Sequence, residues 1–391
     1  MSQLLINHSP DLKRLRDEGY EIEINGGYLL IHHIPYLNGI KQILFGTLVS
    51  TLTLSNNNTT ARPDNHVIYF AGEYPCDNDG IIISAIQHTT QDQNLAGLIV
   101  NHSFSNKPLG GYSDYYHKIS TYASIISAPA KYADDQLTEK TFKVIESKNE
   151  ESVFKYIDTN SSRANINTIN AKFEKHQVAI VGLGGTGAYI LDLVAKTPVK
   201  GIHLFDGDIF LQHNAFRSPG AATTAQLDKK MKKADYFDAT YSGMHRNISA
   251  NSHYLNSANI QELDNMSFVF ICVDKNSVRK VIMDYLVNKG IPFIDVGLGV
   301  NLVDDMLIGS VRVTAATEYK HDHLNLRVAV EDGEENEYST NIQIADLNSL
   351  NAALAVIKWK KIIGFYQDLE HEHHSSYSIN VAKIFNEDST A

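Results

Sequence analysis

Ten residues, Val178-Ala-Ile-Val-Gly-Leu-Gly-Gly-Thr-Gly187, constrain this chain more than any others. Four apolar residues followed by spaced glycines read as a buried parallel strand turning into a helix. The bare backbone N–H groups at such a helix start face an anionic phosphate. Parallel strands need helical crossovers, and the pattern after Gln177 supplies them. Strands are expected over Val178–Val181, Gly201–Phe205, Phe268–Val273 and Pro292–Val296, with a further one over Ile308–Thr314. A helix runs from the glycines through Tyr189–Val194. Another spans Leu347–Phe365, with Leu350, Leu354, Ile357 and Ile362 near helical spacing.

The first part of the chain reads differently. Ser9-Pro10 opens a short helix ending near Gly19. Asn25-Gly26-Gly27 joins Tyr20–Ile24 to Tyr28–Ile34 as a hairpin. Strands are expected over Ile43–Leu54, His66–Ala71, Gly80–Ile86 and Leu98–Phe104, and a helix from Tyr112 to Ile126, ending before Pro129. The expected organisation is a strand-rich α+β domain over residues 1–135, a helical connector over 136–160 and an α/β domain over 161–391.

With 391 residues, two domains are expected, and 43% hydrophobic residues suffice for proper cores. A formal charge of −11 argues against a nucleic-acid surface. No uninterrupted apolar stretch reaches membrane length, and the first residues do not read as a secretory signal. Two cysteines, Cys76 and Cys272, make no disulfide framework and fit a reducing, cytoplasmic setting.

The glycine loop is followed, in order, by Phe205-Asp-Gly-Asp208, Asn214-Ala-Phe-Arg217, the Lys229-Lys230 pair, and Val273-Asp274 with Arg279 beyond. A glycine loop with an acid after the second strand also suits a nicotinamide or flavin site. The longer ordered set, from about Arg163 to Phe385, resembles the ThiF/MoeB/ubiquitin-activating-enzyme superfamily of Rossmann-like adenylation domains. That resemblance implies an activating enzyme using Mg-ATP to adenylate the C-terminal glycine of a ubiquitin-like protein and pass the acyl group to a conjugating-enzyme-like partner. It places Gly182, Gly184, Gly185 and Gly187 against the triphosphate, and Asp206 on the ribose, with Asp208 as second candidate. Arg217 then clamps phosphates, with Lys230 as the phosphate lysine (Lys229 the alternative) and Asp274 on Mg²⁺. Arg163 is the candidate lent across a homodimer interface. Attack of a carboxylate on the α-phosphorus needs cations and in-line positioning, with no protein nucleophile.

The family pattern also breaks. The segment Glu331–Asn341, where relatives carry an acyl-accepting cysteine, has none. Direct transfer to a partner is the first expectation, an oxyester on Ser339 or Thr340 the second, and Cys76 the third. Cys76 is expected in an exposed loop whose carboxylates raise its pKa, and Cys272 as a packed apolar group in its strand. The family's zinc-binding cysteine pairs are missing. His321 and His323, with His371 and His373 alternating on one strand face, are the candidate replacements. Arg279 is either a motif residue or a surface partner of Asp284. In the first domain, Phe70–Asp77 and His102–Tyr112 resemble an uncharacterised domain that accompanies ThiF-like domains in bacterial operons encoding ubiquitin-like and conjugating-enzyme-like proteins. The rival readings are an NAD-dependent oxidoreductase, a catalytically silent ThiF-like binding module, and adenylation of a small carboxylate or RNA.

Overall fold

The computed structural model describes residues 2–56, 59–145, 152–156, 158, 160–161, 164, 166–330 and 342–390. The chain divides into two compact units, Met1–Ala171 and Lys172–Ala391.

In the first unit a six-stranded antiparallel sheet runs in the order β1-β2-β3-β6-β8-β7. Its strands are β1 (Glu21–Asn25), β2 (Tyr28–Leu37), β3 (Ile43–Thr51), β6 (Val67–Ala71), β7 (Gln87–Leu95) and β8 (Leu98–Ser105); β4 (Leu54–Asn56) and β5 (Thr59–Thr60) form a separate ribbon. Helices α1 (Ser2–His8), α2 (Pro10–Asp17) and α3 (Tyr115–Ala133) cover one face. Leu12 and Leu15, with Ile119, Tyr122 and Ile126 of α3, pack there on Ile31, Leu48, Phe70 and Phe104. Asp114 caps α3, accepting from the His117 amide at 2.7 Å.

Two expectations change. Helix α3 runs through Pro129 to Ala133 rather than stopping before it. The strand placed over Gly80–Ile86 lies instead at Gln87–Leu95, and Ser84–Ile86 is a 3₁₀ turn. Lys118 of α3 is fully buried, donating from Nζ to Ser50 Oγ at 2.9 Å. Burial pushes its pKa down to about 8.

In the second unit, eight strands lie in the order β11-β10-β9-β12-β13-β14-β15-β16. Strands β11 (Ile248–Asn251), β10 (Gly201–Phe205), β9 (Gln177–Val181), β12 (Phe268–Ile271) and β13 (Phe293–Val303) pair in parallel. Strands β14 (Met306–Ala316), β15 (His374–Ser378) and β16 (Lys383–Glu387) extend the sheet antiparallel.

Alternate residues of β9 feed opposite layers. Val178 and Ile180 face a core with Ile190, Leu191, Phe237 and Trp359, while Ala179 and Val181 face Leu263, Ile282 and Leu286. The first layer comes from α4 (Gly185–Val194), α5 (Lys233–Tyr241) and the late helix Ala345–Ile362 (α7); the second comes from α6 (Asn276–Lys289). The chain steps from β9 to β10 on one side and later to β12 on the other. The crevice beyond the carboxyl ends of β9 and β12 is therefore the switch point at which such sheets bind ligands.

Candidate functional site

The glycine loop fills that crevice. Gly182 follows β9 with φ +91°, and a Cβ there would lie 2.6 Å from the Cys272 carbonyl at the end of β12. A Cβ on Gly187 would lie 1.9 Å from the Gly182 carbonyl oxygen, and one on Gly185 2.0 Å from Asn348 Nδ2. These two positions let α4 dock against the strand and against α7. Gly184 differs, since a Cβ there would meet nothing within 4 Å and would enter open space. A cavity of about 400 Å³ occupies that space, lined by Gly184, Gly185, Asp274, Asn348 and the Gly297–Gly299 stretch among others.

On the β10 side, Asp206 serves the loop. One carboxylate oxygen accepts the Leu183 amide at 2.7 Å and the other the Asp208 amide at 2.8 Å. Burial raises its pKa, opposed by Lys233 and the two amides. The half-exposed Asp208 accepts from Lys233 Nζ at 2.7 Å and from the Tyr254 hydroxyl. Burial works against its charge, yet the Lys233 and Tyr254 hydrogen bonds outweigh it and its pKa falls.

The lysine facing these acids is Lys233, not Lys230. Ile209 bridges Lys232, and the Lys233 amide donates to the Asp208 carbonyl at 2.9 Å. This pairing lays the first residue of α5 on the acids, with Nζ 3.7 Å from Asp206 and a side chain only 8% exposed. Lys229 and Lys230 are exposed four and three positions earlier, Lys230 with φ +48°. Taken singly, the lysines of this cluster, Lys229, Lys230, Lys232 and Lys233, could equally form a solvated helix face. The available signal was the buried run Ala234, Tyr236 and Phe237 directly behind Lys233.

Arg217 has its Nε buried without a partner among the described residues, as has Nδ2 of Asn214. Burial lowers the pKa of Arg217, with Asp274 and Asp208 opposing that shift. Asn214 is held by accepting the Leu211 amide at 2.8 Å, so its amino group is the side left over. Two buried donors without acceptors, beside a glycine-lined crevice, suit an anion.

Asp274, exposed at the cavity wall, neighbours Asn276 there. Arg279 does not pair with Asp284, which Lys280 holds instead at 2.9 Å. It is buried, with Nε 2.9 Å from Asp295, whose other oxygen lies 2.5 Å from Arg312 Nη2. Asp295 is 0% exposed, so two arginines compensate one sequestered carboxylate at the cavity floor.

Arg163, Ser339 and Thr340 lie outside the described residues. Cys76 is buried at 3% exposure, bridged to Leu37 and Ile82, and not in an exposed loop; burial first, then Asp77 and Glu73, raises its pKa. Cys272 lies just beyond β12 and lines the cavity, its thiol pushed up by burial and by Asp295. The expected His371–His373 face does not form, because β15 begins only at His374 and His371 is exposed with φ +49°. His373 instead meets buried His323, ring centroids 5.9 Å apart, while His321 is exposed. Among the described residues, no group of three or more His, Cys, Asp or Glu side chains is placed to hold a metal ion. Nor is any described helix long and apolar enough to cross a membrane.

Residues 161–335 match the ThiF family, and residues 10–159 match a domain of unknown function, DUF6791. No curated protein matches the sequence. Among solved structures, E. coli MccB with MccA-N7isoASN is 18% identical, covering 58% of this chain and 67% of its own, with a TM-score of 0.47. PaaA is 17% identical over 59% of this chain and 69% of its own, TM-score 0.43. E. coli MccB with ATP is 18% identical over 57% and 67%, TM-score 0.45.

Proposed function

Residues 161–335 being a ThiF-family domain, we propose that this chain is an ATP-dependent activating enzyme. It adenylates the C-terminal glycine of a ubiquitin-like protein and hands the acyl group to a conjugating partner. The observation that carries this reading is the set of buried donors, Arg217 Nε and Asn214 Nδ2, beside a glycine crevice that Lys233 and an acid pair adjoin. A dinucleotide site needs the glycines and one acid. It does not need this concentration of cationic and amide donors.

In this reading Gly184 and Gly185 admit the phosphates to the helix start, and Asp206 with Asp208 take the ribose hydroxyls. Arg217 and Lys233 bind the phosphate oxygens. The acyl carboxylate attacks the α-phosphorus, the bond to the β-phosphate breaks, and pyrophosphate leaves with the negative charge. Fixed cations stabilise that charge as it develops. Magnesium, when bound, neutralises phosphate charge, and Asp274 is the residue that would hold it together with the nucleotide itself. A homodimer would bring Arg163 to the other copy's site, and mixing Arg163→Ala with Asp274→Ala chains should then restore part of the activity.

The test is ATP–pyrophosphate exchange by the full chain, with and without a glycine-terminated ubiquitin-like protein. Exchange that depends on that protein and on its terminal glycine supports the reading. Asp274→Ala should abolish exchange and leave the circular dichroism spectrum unchanged, since the residue is exposed. Normal exchange in that variant at limiting Mg²⁺ would remove its assignment. NADH binding in place of ATP would overturn the reading altogether.

A further inference from the structure

Unpartnered buried atoms of two kinds lie around the glycine turn. Arg217, whose carbonyl meets Asn348 at 3.5 Å, carries a donor, Nε, and Asn214 another, Nδ2. The cavity lining carries acceptors: Asn351 Oδ1 and Gln343 Oε1 are buried without a donor among the described residues. Asn351 is 0% exposed. Its amide orientation is fixed, because Nδ2 donates to the Gly297 carbonyl at 2.9 Å and the group left facing the cavity must be oxygen.

Buried acceptors of this kind repel phosphate and need N–H groups. The nucleotide's sugar belongs with Asp206 and Asp208, at the end of β10. The sheet order places β10 three strands from β13, roughly 14 Å at the usual strand spacing. The acceptors therefore adjoin the acyl component and not the sugar. The wall beside them is bare strand, for a Cβ on Gly299 would meet nothing within 4 Å. An extended chain can lie against such a wall as a side-chain-bearing strand would not permit.

Resting on the adenylation reading above, we propose that Asn351 and Gln343 determine acyl-substrate specificity by accepting hydrogen bonds from the last backbone N–H groups of an extended peptide. The activated carboxylate is then a peptide C-terminus recognised through its own amides, and a simple carboxylic acid lacks the groups that this wall requires.

The test uses the full chain loaded with an ATP analogue whose α–β bridge cannot be cleaved. A synthetic decapeptide ending in Gly-Gly is titrated by calorimetry against two analogues, each with one of the last two amide N–H groups replaced by an ester oxygen. The peptide should bind about tenfold more tightly than at least one ester analogue, the size of one buried hydrogen bond. That difference should collapse in Gln343→Leu and in Asn351→Leu. Gln343 is only partly buried, so its variant decides the matter if Asn351→Leu fails to fold. Nucleotide binding with equal affinity for peptide and esters, or with no peptide binding, overturns the inference and leaves the adenylation reading standing. Discrimination of ATP from ITP that is lost in Gln343→Leu would place the adenine amine at this wall and also overturn it. Failure to bind the nucleotide at all would overturn both.

Discussion

Lys233 and Lys230 are three positions apart, and only Lys233 meets the acid pair beside the glycine turn. Lys233 is clamped between Asp206 and Asp208, with little freedom left to lose when a nucleotide arrives. Lys230 is exposed beyond a short helix. A pre-positioned cation acts in the transition state without reorganising. Lys233→Met should therefore lower pyrophosphate exchange by about 100-fold or more, the range seen when one transition-state donor is removed. Lys230→Met should stay within about twofold, as surface substitutions do. Equal losses in steady-state assays of the two variants would return the role to Lys230. Charge and order along the sequence brought the reading to this cluster. The choice within it depended on the Ile209–Lys232 bridge, a long-range pairing that no local pattern announces.

Among the elements, the glycine turn separates packing from binding. Gly187→Ala forces a methyl group onto the Gly182 carbonyl, an overpacking that should cost about 1–3 kcal/mol and lower the urea midpoint. Gly184→Ala meets no protein atom. It should keep that midpoint and weaken ATP binding instead, read by calorimetry. Helix α3 supplies a test of a different kind through Lys118. Below pH 8 the lysine is protonated whether the chain is folded or not. Between about 8 and its ordinary 10.5 the unfolded chain holds a proton that the folded one has shed. Stability must then rise with pH in that window, by about 2 kcal/mol between pH 8 and 9.5. Urea unfolding of the wild type should show this rise relative to Lys118→Met, in which it disappears.

Strands β9 and β12 were legible because they are buried on both faces and carry near-continuous hydrophobic runs, which β10 interrupts only at His203. Strand β7, Gln-His-Thr-Thr-Gln-Asp-Gln-Asn-Leu, is an almost wholly exposed edge with no such signal. Pro129 was read as a stop, yet α3 continues through it for four more residues to Ala133. The glycine loop, Asp206, Arg217 and Asp274 were singled out by their order along the chain. The Asn351–Gln343 wall was not, since an unpaired amide oxygen has no signature in sequence.

At the scale of the whole molecule, the chain carries one tryptophan, and it lies in the second unit. Trp359 is fully buried in the second unit, packed against Phe173, Phe268 and Phe270. Its fluorescence therefore reports the unfolding of the unit that carries the glycine crevice. MgATP at 100 times its dissociation constant should stabilise that transition by about 2.7 kcal/mol. An unmoved tryptophan midpoint in saturating nucleotide would mean that ATP does not bind this unit's folded state. The two thiols have a practical consequence of another kind. Cys76 is buried and Cys272 sits at the cavity wall, and both hold their protons more tightly than a free cysteine. Maleimides and iodoacetamides react with thiolates, so the native chain offers a quiet background at neutral pH. A single cysteine engineered onto either surface becomes the address for a dye or spin label, with the natural pair left in place.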